Sequence, residues 1–94
     1  MVRRVYLRIL TKNDSLEVGE RIRKSVEELL SGETLSFSEF TSYWKYEGWG
    51  EQGCTVDTVQ PLERIQKRFA DNWEADTASV DIRLSDVEFL WIGE

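Results

Sequence analysis

Residues 46–56 read YEGWGEQGCTV, with Gly48, Gly50 and Gly53 at the G-x-G-x-x-G spacing of loops that hold phosphates. A dinucleotide loop must join a strand to the start of a helix, so that the helix N-terminus faces the pyrophosphate. Here Gly53 is followed by Cys54-Thr55-Val56-Asp57-Thr58-Val59, whose alternation is that of a strand. A kinase-type glycine loop does lie between strands, but it needs partner motifs that 94 residues cannot carry. Glu47 and Glu51 also put negative charge where phosphates would sit, and no Lys or Arg occurs from Tyr46 to Leu62. The stretch is read as a hairpin loop whose glycines supply positive φ angles.

On its N-terminal side the hairpin leads back into a strand region over 34–47. Leu35 and Phe37 share one parity, whereas Phe40, Trp44 and Tyr46 share the other, which predicts a bulge or bend near Ser38-Glu39. Phe40, Trp44 and Tyr46 are expected to face the core. Before this region, Val5, Leu7 and Ile9 alternate with Tyr6 and Arg8 in a half-buried strand over 2–11. Asp14 is a capping residue with Glu17 as its capping-box partner, and Val18, Ile22, Val26, Leu29 and Leu30 form the stripe of a helix that Gly32 ends. After the hairpin, Pro61 opens a second helix with Leu62, Ile65, Phe69 and Trp73 as its stripe. Val80, Ile82 and Leu84 then begin a last strand.

The order β-α-β-β-α-β predicts one domain over residues 1–94. It is α+β and ferredoxin-like, a four-stranded antiparallel sheet with two helices on one face. Apolar residues make up 40% of the chain, and no apolar run approaches the roughly 20 residues of a membrane-spanning helix. The N-terminus lacks the pattern of a signal peptide, and the single cysteine, Cys54, fits a reducing compartment, so a cytoplasmic setting is expected.

The residues that are absent restrict the chemistry most. Without histidine there is no Ser-His or Cys-His pair, and one cysteine excludes the usual zinc sites. An enzyme would have to work with Asp, Glu, Lys, Arg, Tyr, Ser and Thr. Asp71, Glu74 and Asp76 lack the ligand pattern of a calcium loop and read as solvated helix-end residues. Asp57 is placed to face Arg8 or Arg83 across the sheet, a pairing common on solvated faces. No catalytic residue, metal or cofactor is expected.

Net charge is −6, divided as +4 over residues 1–24 and −10 over residues 25–94. Direct nucleic-acid binding is disfavoured by this balance: the open sheet face of Tyr6, Arg8, Tyr43, Lys45, Thr55, Asp57, Asp81 and Arg83 is mixed in charge and the RNP1 pattern is missing. Two features point instead to a protein partner. Trp49 sits between two glycines at a loop tip, either folded back over the hairpin or exposed to a partner. Val87, Phe89, Leu90, Trp91 and Ile92 make the final segment apolar on both faces, and in a ferredoxin-like sheet this strand is an edge. It is core within one chain or an interface.

The expected function is a non-enzymatic protein-binding module that forms a homodimer through its C-terminal strand, with Trp49, Val87, Phe89 and Trp91 as contact residues. A sharper version is an acidic inhibitor of a nucleic-acid-binding protein. The alternative is a small enzyme or small-molecule-binding domain of dimeric ferredoxin-like type, for which a pocket lined by Tyr6, Arg8 and Asp57 would be the mark.

Overall fold

A computed structural model describes residues 1–74 and 77–94. Asp76 and the side chain of Val80 lie outside the described residues. Strands β1 (Arg3–Thr11) and β4 (Gly50–Thr58) form the centre of the fold, paired antiparallel from Arg3↔Thr58 to Thr11↔Gly50. Helix α1 (Leu16–Leu29), strands β2 (Thr34–Phe37) and β3 (Thr41–Ser42), helix α2 (Leu62–Gln66), strands β5 (Asn72–Glu74) and β6 (Thr77–Val80), and strand β7 (Phe89–Gly93) complete it. The sheet order is β2-β4-β1-β7-β6-β5, and β3 also pairs with β4.

The expected ferredoxin-like sheet of four strands with two helices on one face is thus corrected to a seven-stranded antiparallel sheet with two short helices. Three local events account for the difference. Strand 34–47 breaks where its parity changes: three residues, 38–40, separate Phe37 from Thr41, while only two separate their partners Cys54 and Glu51. The second helix, expected to reach Trp73, stops at Gln66 and passes into a turn over 67–69 that Arg83 holds. The Arg83 N–H donates to Phe69 O at 2.7 Å, and its guanidinium donates to Lys67 O at 2.9 Å. Trp73 lies instead in β5, paired with Ala78 of β6. Finally, Asp81 (φ 55°) and Asp86 (φ 67°) adopt the left-handed backbone that aspartate tolerates, so 81–88 turns instead of extending a strand.

One cluster forms the core. It joins Val5, Leu7 and Ile9 of β1, Cys54 and Val56 of β4, and Leu90 and Ile92 of β7 to Val18, Ile22, Val26 and Leu30 of the first helix segment. Ile65, Phe69 and Leu84 complete it. The cap of α1 is Ser15, not Asp14: the Ser15 hydroxyl accepts from Val18 N–H at 3.4 Å, and Asn13 Oδ1 accepts from Ser15 N–H at 2.9 Å. Gly32, at φ 93°, follows the helix end as expected.

The hairpin at 43–49 has only one glycine in the positive-φ role, Gly48 at 81°. Gly50 and Gly53 lie within β4 and serve proximity instead. A methyl group on Gly50 would lie 2.7 Å from the Asn13 carbonyl oxygen and 2.8 Å from Phe40 Cε1. One on Gly19 of α1 would lie 2.6 Å from Phe40 Cγ, so the Phe40 ring is held between two bare backbones. At Gly53 the Ser38 hydroxyl accepts from the backbone N–H at 2.9 Å, tying the bulge to β4.

Candidate interaction surface

Because side chains alternate along a strand, the face of β1, β4 and β7 opposite the core carries Tyr6, Arg8 and Leu10, then Glu51, Thr55 and Asp57, then Phe89 and Trp91. Its charges are neutralised pairwise. Arg8 meets Glu51 at 2.7 Å, Arg4 meets Asp57 at 2.9 Å and Lys12 meets Glu88 at 3.6 Å. The hydrogen bond from Arg4 holds the Asp57 carboxyl below its ordinary pKa, and Asp57 raises that of Arg4. Asp57 therefore faces Arg4, not Arg8 or Arg83; Arg83 is instead paired with Asp71 at 2.7 Å.

Where β7 crosses β1, Phe89 pairs with Leu10 and Trp91 with Arg8. Phe89 and Trp91 are half-buried on this face, while their neighbours Leu90 and Ile92 are fully buried on the other. The Trp91 ring lies along the strand over Gly93, where a methyl group would come within 2.8 Å of Cη2. Val87 packs against the core cluster and not on this surface. β7 is also not a sheet edge: β1 flanks it on one side and β6 on the other through Thr77↔Trp91, and the Gln66 amide donates to Ile92 O at 3.0 Å.

Arg8 and Lys12 connect this surface to the 43–49 tip. The Arg8 guanidinium stands 5.6 Å from the Tyr43 ring centre, and the Lys12 ammonium 5.9 Å from that of Trp49. Four rings assemble at the tip: Tyr43 meets Trp44 edge-on at 5.9 Å and Tyr46 at 5.8 Å, and Tyr46 tilts against Trp49 at 5.0 Å. The backbone fixes this geometry, since Tyr43 N–H donates to Trp49 O at 2.8 Å and Trp49 N–H to Tyr46 O at 3.2 Å. Trp49 is half-buried and folded back onto Lys12. The outward rings are Trp44, 82% exposed, and Tyr46, 47% exposed, both of which the parity argument had placed in the core. The alternation of these rings with Lys45 and Glu47 is the same pattern that a half-buried strand shows, so the sequence carried no signal that separates the two cases.

Of the expected contact residues, the structure thus brings Trp49, Phe89 and Trp91 around Leu10, Arg8 and Lys12, and leaves Val87 outside. Tyr6, Arg8 and Asp57 do not share a pocket; each lines a different shallow cleft, of ≈ 310, ≈ 200 and ≈ 380 Å³ respectively. Burial pushes the Cys54 thiol up to about 11, which removes the thiolate that a nucleophile needs. Among the described residues no cluster of three carboxylate or thiol side chains is placed to hold a metal ion, and no helix is long and apolar enough to cross a membrane. Comparison with protein families, with curated proteins and with solved structures gives no match for this chain.

Proposed function

We propose that this chain is a non-enzymatic protein-binding module that associates with a second copy of itself through the aromatic tip and the adjoining face of β7. The exposure of Trp44 carries this reading. Its ring is ordered against Tyr43, yet its surface is left to solvent, where tryptophan is a preferred anchor of protein interfaces. The paired arginines argue against a phosphate backbone as the partner, because each already has a carboxylate within 2.9 Å. A small-molecule site has less support, since the clefts are shallow and divide Tyr6, Arg8 and Asp57 among them. A cytoplasmic setting fits the lone buried thiol.

Burying a large apolar side chain is worth about 2 kcal/mol, and a two-fold interface uses each anchor twice. Trp44→Ser should therefore weaken self-association by at least about a hundredfold. Light scattering across concentration is the test, with wild type beside Trp44→Ser and Trp91→Ser. A wild type that stays monomeric at about millimolar concentration ends this reading. A dimer indifferent to both substitutions moves the interface elsewhere.

An outside partner with a basic surface is the second version, supported by the charge of −10 over residues 25–94. In that version the module inhibits a nucleic-acid-binding protein by occupying its basic groove, and binding would weaken steeply with salt.

A further inference from the structure

The sheet has two outer edges, and they are defended differently. At one end β5 carries Glu74 and a register shift beside Asn72 and Trp73, features that discourage strand addition. At the other end β2 consists of Thr34, Leu35, Ser36 and Phe37, with no charge, no proline and no bulge within it. Ser38 N–H donates to Gly53 O at 3.0 Å, so by the alternation of an antiparallel pair the N–H and C=O groups of Leu35 and Phe37 point away from β4. They form an open row of donors and acceptors.

Beside this row a cleft of ≈ 180 Å³ separates β2 from α1. Leu16, Gly19, Phe37 and Phe40 give it an apolar floor, and Leu16 is 71% exposed. Its rim is acidic. Arg23 lies 5.1 Å from the Phe37 ring centre and is paired with Glu27 at 3.6 Å, whereas Glu20 and Glu39 have no ion-pair partner among the described residues. From this combination we infer that β2 and the α1 cleft receive an extended segment of another protein by strand addition. The segment carries an apolar residue for the cleft and a lysine or arginine two positions away for Glu20 and Glu39. Residues two apart in a strand share a face, so one segment satisfies both requirements. A second copy of β2 fits less well, because it brings no cation and sets two acidic rims against each other. This surface shares no residue with the aromatic one, so the two proposals fail separately.

The probe is a fluorescein-labelled, end-blocked peptide in which valine and lysine alternate on one face and threonine fills the other. Its controls have glutamate in place of lysine, or N-methyl groups on the amides that would face β2. Anisotropy measures binding, and amide chemical shifts locate it. The expected result is saturable binding that shifts Leu35 and Phe37, is lost on N-methylation, and weakens at least about tenfold in Glu20→Lys/Glu39→Lys. Both substituted positions are exposed, and an unchanged amide spectrum elsewhere verifies the fold. The inference is overturned if the lysine peptide does not saturate, if the glutamate or N-methylated peptide binds equally, or if charge reversal leaves affinity unchanged. Shifts that appear with added protein and no peptide would assign the edge to a second copy and overturn it too.

Discussion

Strand β7 and the 43–49 tip are both rich in aromatic rings, yet one is clamped on every side and the other is anchored only at its base. β7 gives Leu90 and Ile92 to the core, pairs with β1 from Tyr6↔Gly93 to Leu10↔Phe89, touches β6, and has its Ile92 carbonyl bonded by Gln66. The tip has two backbone hydrogen bonds, cation contacts from Arg8, Lys12 and Lys45, and rings that lean mainly on one another. What separates them is long-range pairing rather than composition. A neighbouring strand fixes the face that each side chain presents, sending Leu90 and Ile92 to the core and Phe89 and Trp91 to the opposite face, and the tip has no such neighbour beyond Ser42.

The strongest way to break the contrast is to cut into β7. Leu90 is fully buried, and Leu90→Ala removes its side chain from the main cluster. The expected cost is about 4 kcal/mol, a large share of the stability of a domain this size, read as a fall in the urea midpoint with an unchanged slope. The base of the tip is next. Gly50→Ala drives a methyl group against Phe40 and against the Asn13 backbone, which cannot rotate away, so we expect a loss of about 3 kcal/mol. If Gly50→Ala proves neutral, the Phe40 slot is looser than described and the tip is not fixed at its base.

A third experiment sharpens the difference between the two sheet faces. Cys54 faces the core, and its thiol is raised to about 11 by burial. A group whose folded pKa is raised contributes stability that is complete below its unfolded value and is lost as pH climbs through the folded one. Wild type should therefore lose on the order of 2 kcal/mol relative to Cys54→Ala between about pH 9 and pH 11. Parallel denaturant curves at each pH measure it, and a constant difference between the two proteins would show that the thiol is not sequestered.

These elements also show what could be read from the chain. The central pair β1 and β4 and helix α1 follow from local periodicity, since Val5, Leu7 and Ile9 or Val18, Ile22 and Val26 repeat with one period and no interruption. The bulge at 38–40 was legible as a change of parity. Parity could not tell which side of that bulge kept its partner, so Trp44 and Tyr46 were carried into the core with Phe40. The end of α2 was hidden because the turn that follows it is held by Arg83, more than a dozen residues away. With Trp73 in β5, the extra hairpin follows, and β7 ceases to be an edge. Residue type drew attention to Trp49, Phe89 and Trp91, but it did not tell that all three are half-buried while Trp44 is exposed.

The smallest expected effect on stability is also the one that bears most directly on function. Trp44 is 82% exposed and touches little except Tyr43, so Trp44→Ser removes almost no buried area. Its urea midpoint should stay within the equivalent of about 0.5 kcal/mol of wild type, the usual range for a surface position. Trp91→Ser, by contrast, uncovers Gly93 and part of β1 and should cost measurably more. The two substitutions therefore separate the roles of the two aromatic regions. A ring that contributes nothing to the folded monomer yet controls association is a contact residue, whereas one that lowers both together acts through the fold. If Trp44→Ser destabilises the monomer as much as Trp91→Ser does, the tip is packed, and the contrast on which its assignment as an anchor rests disappears.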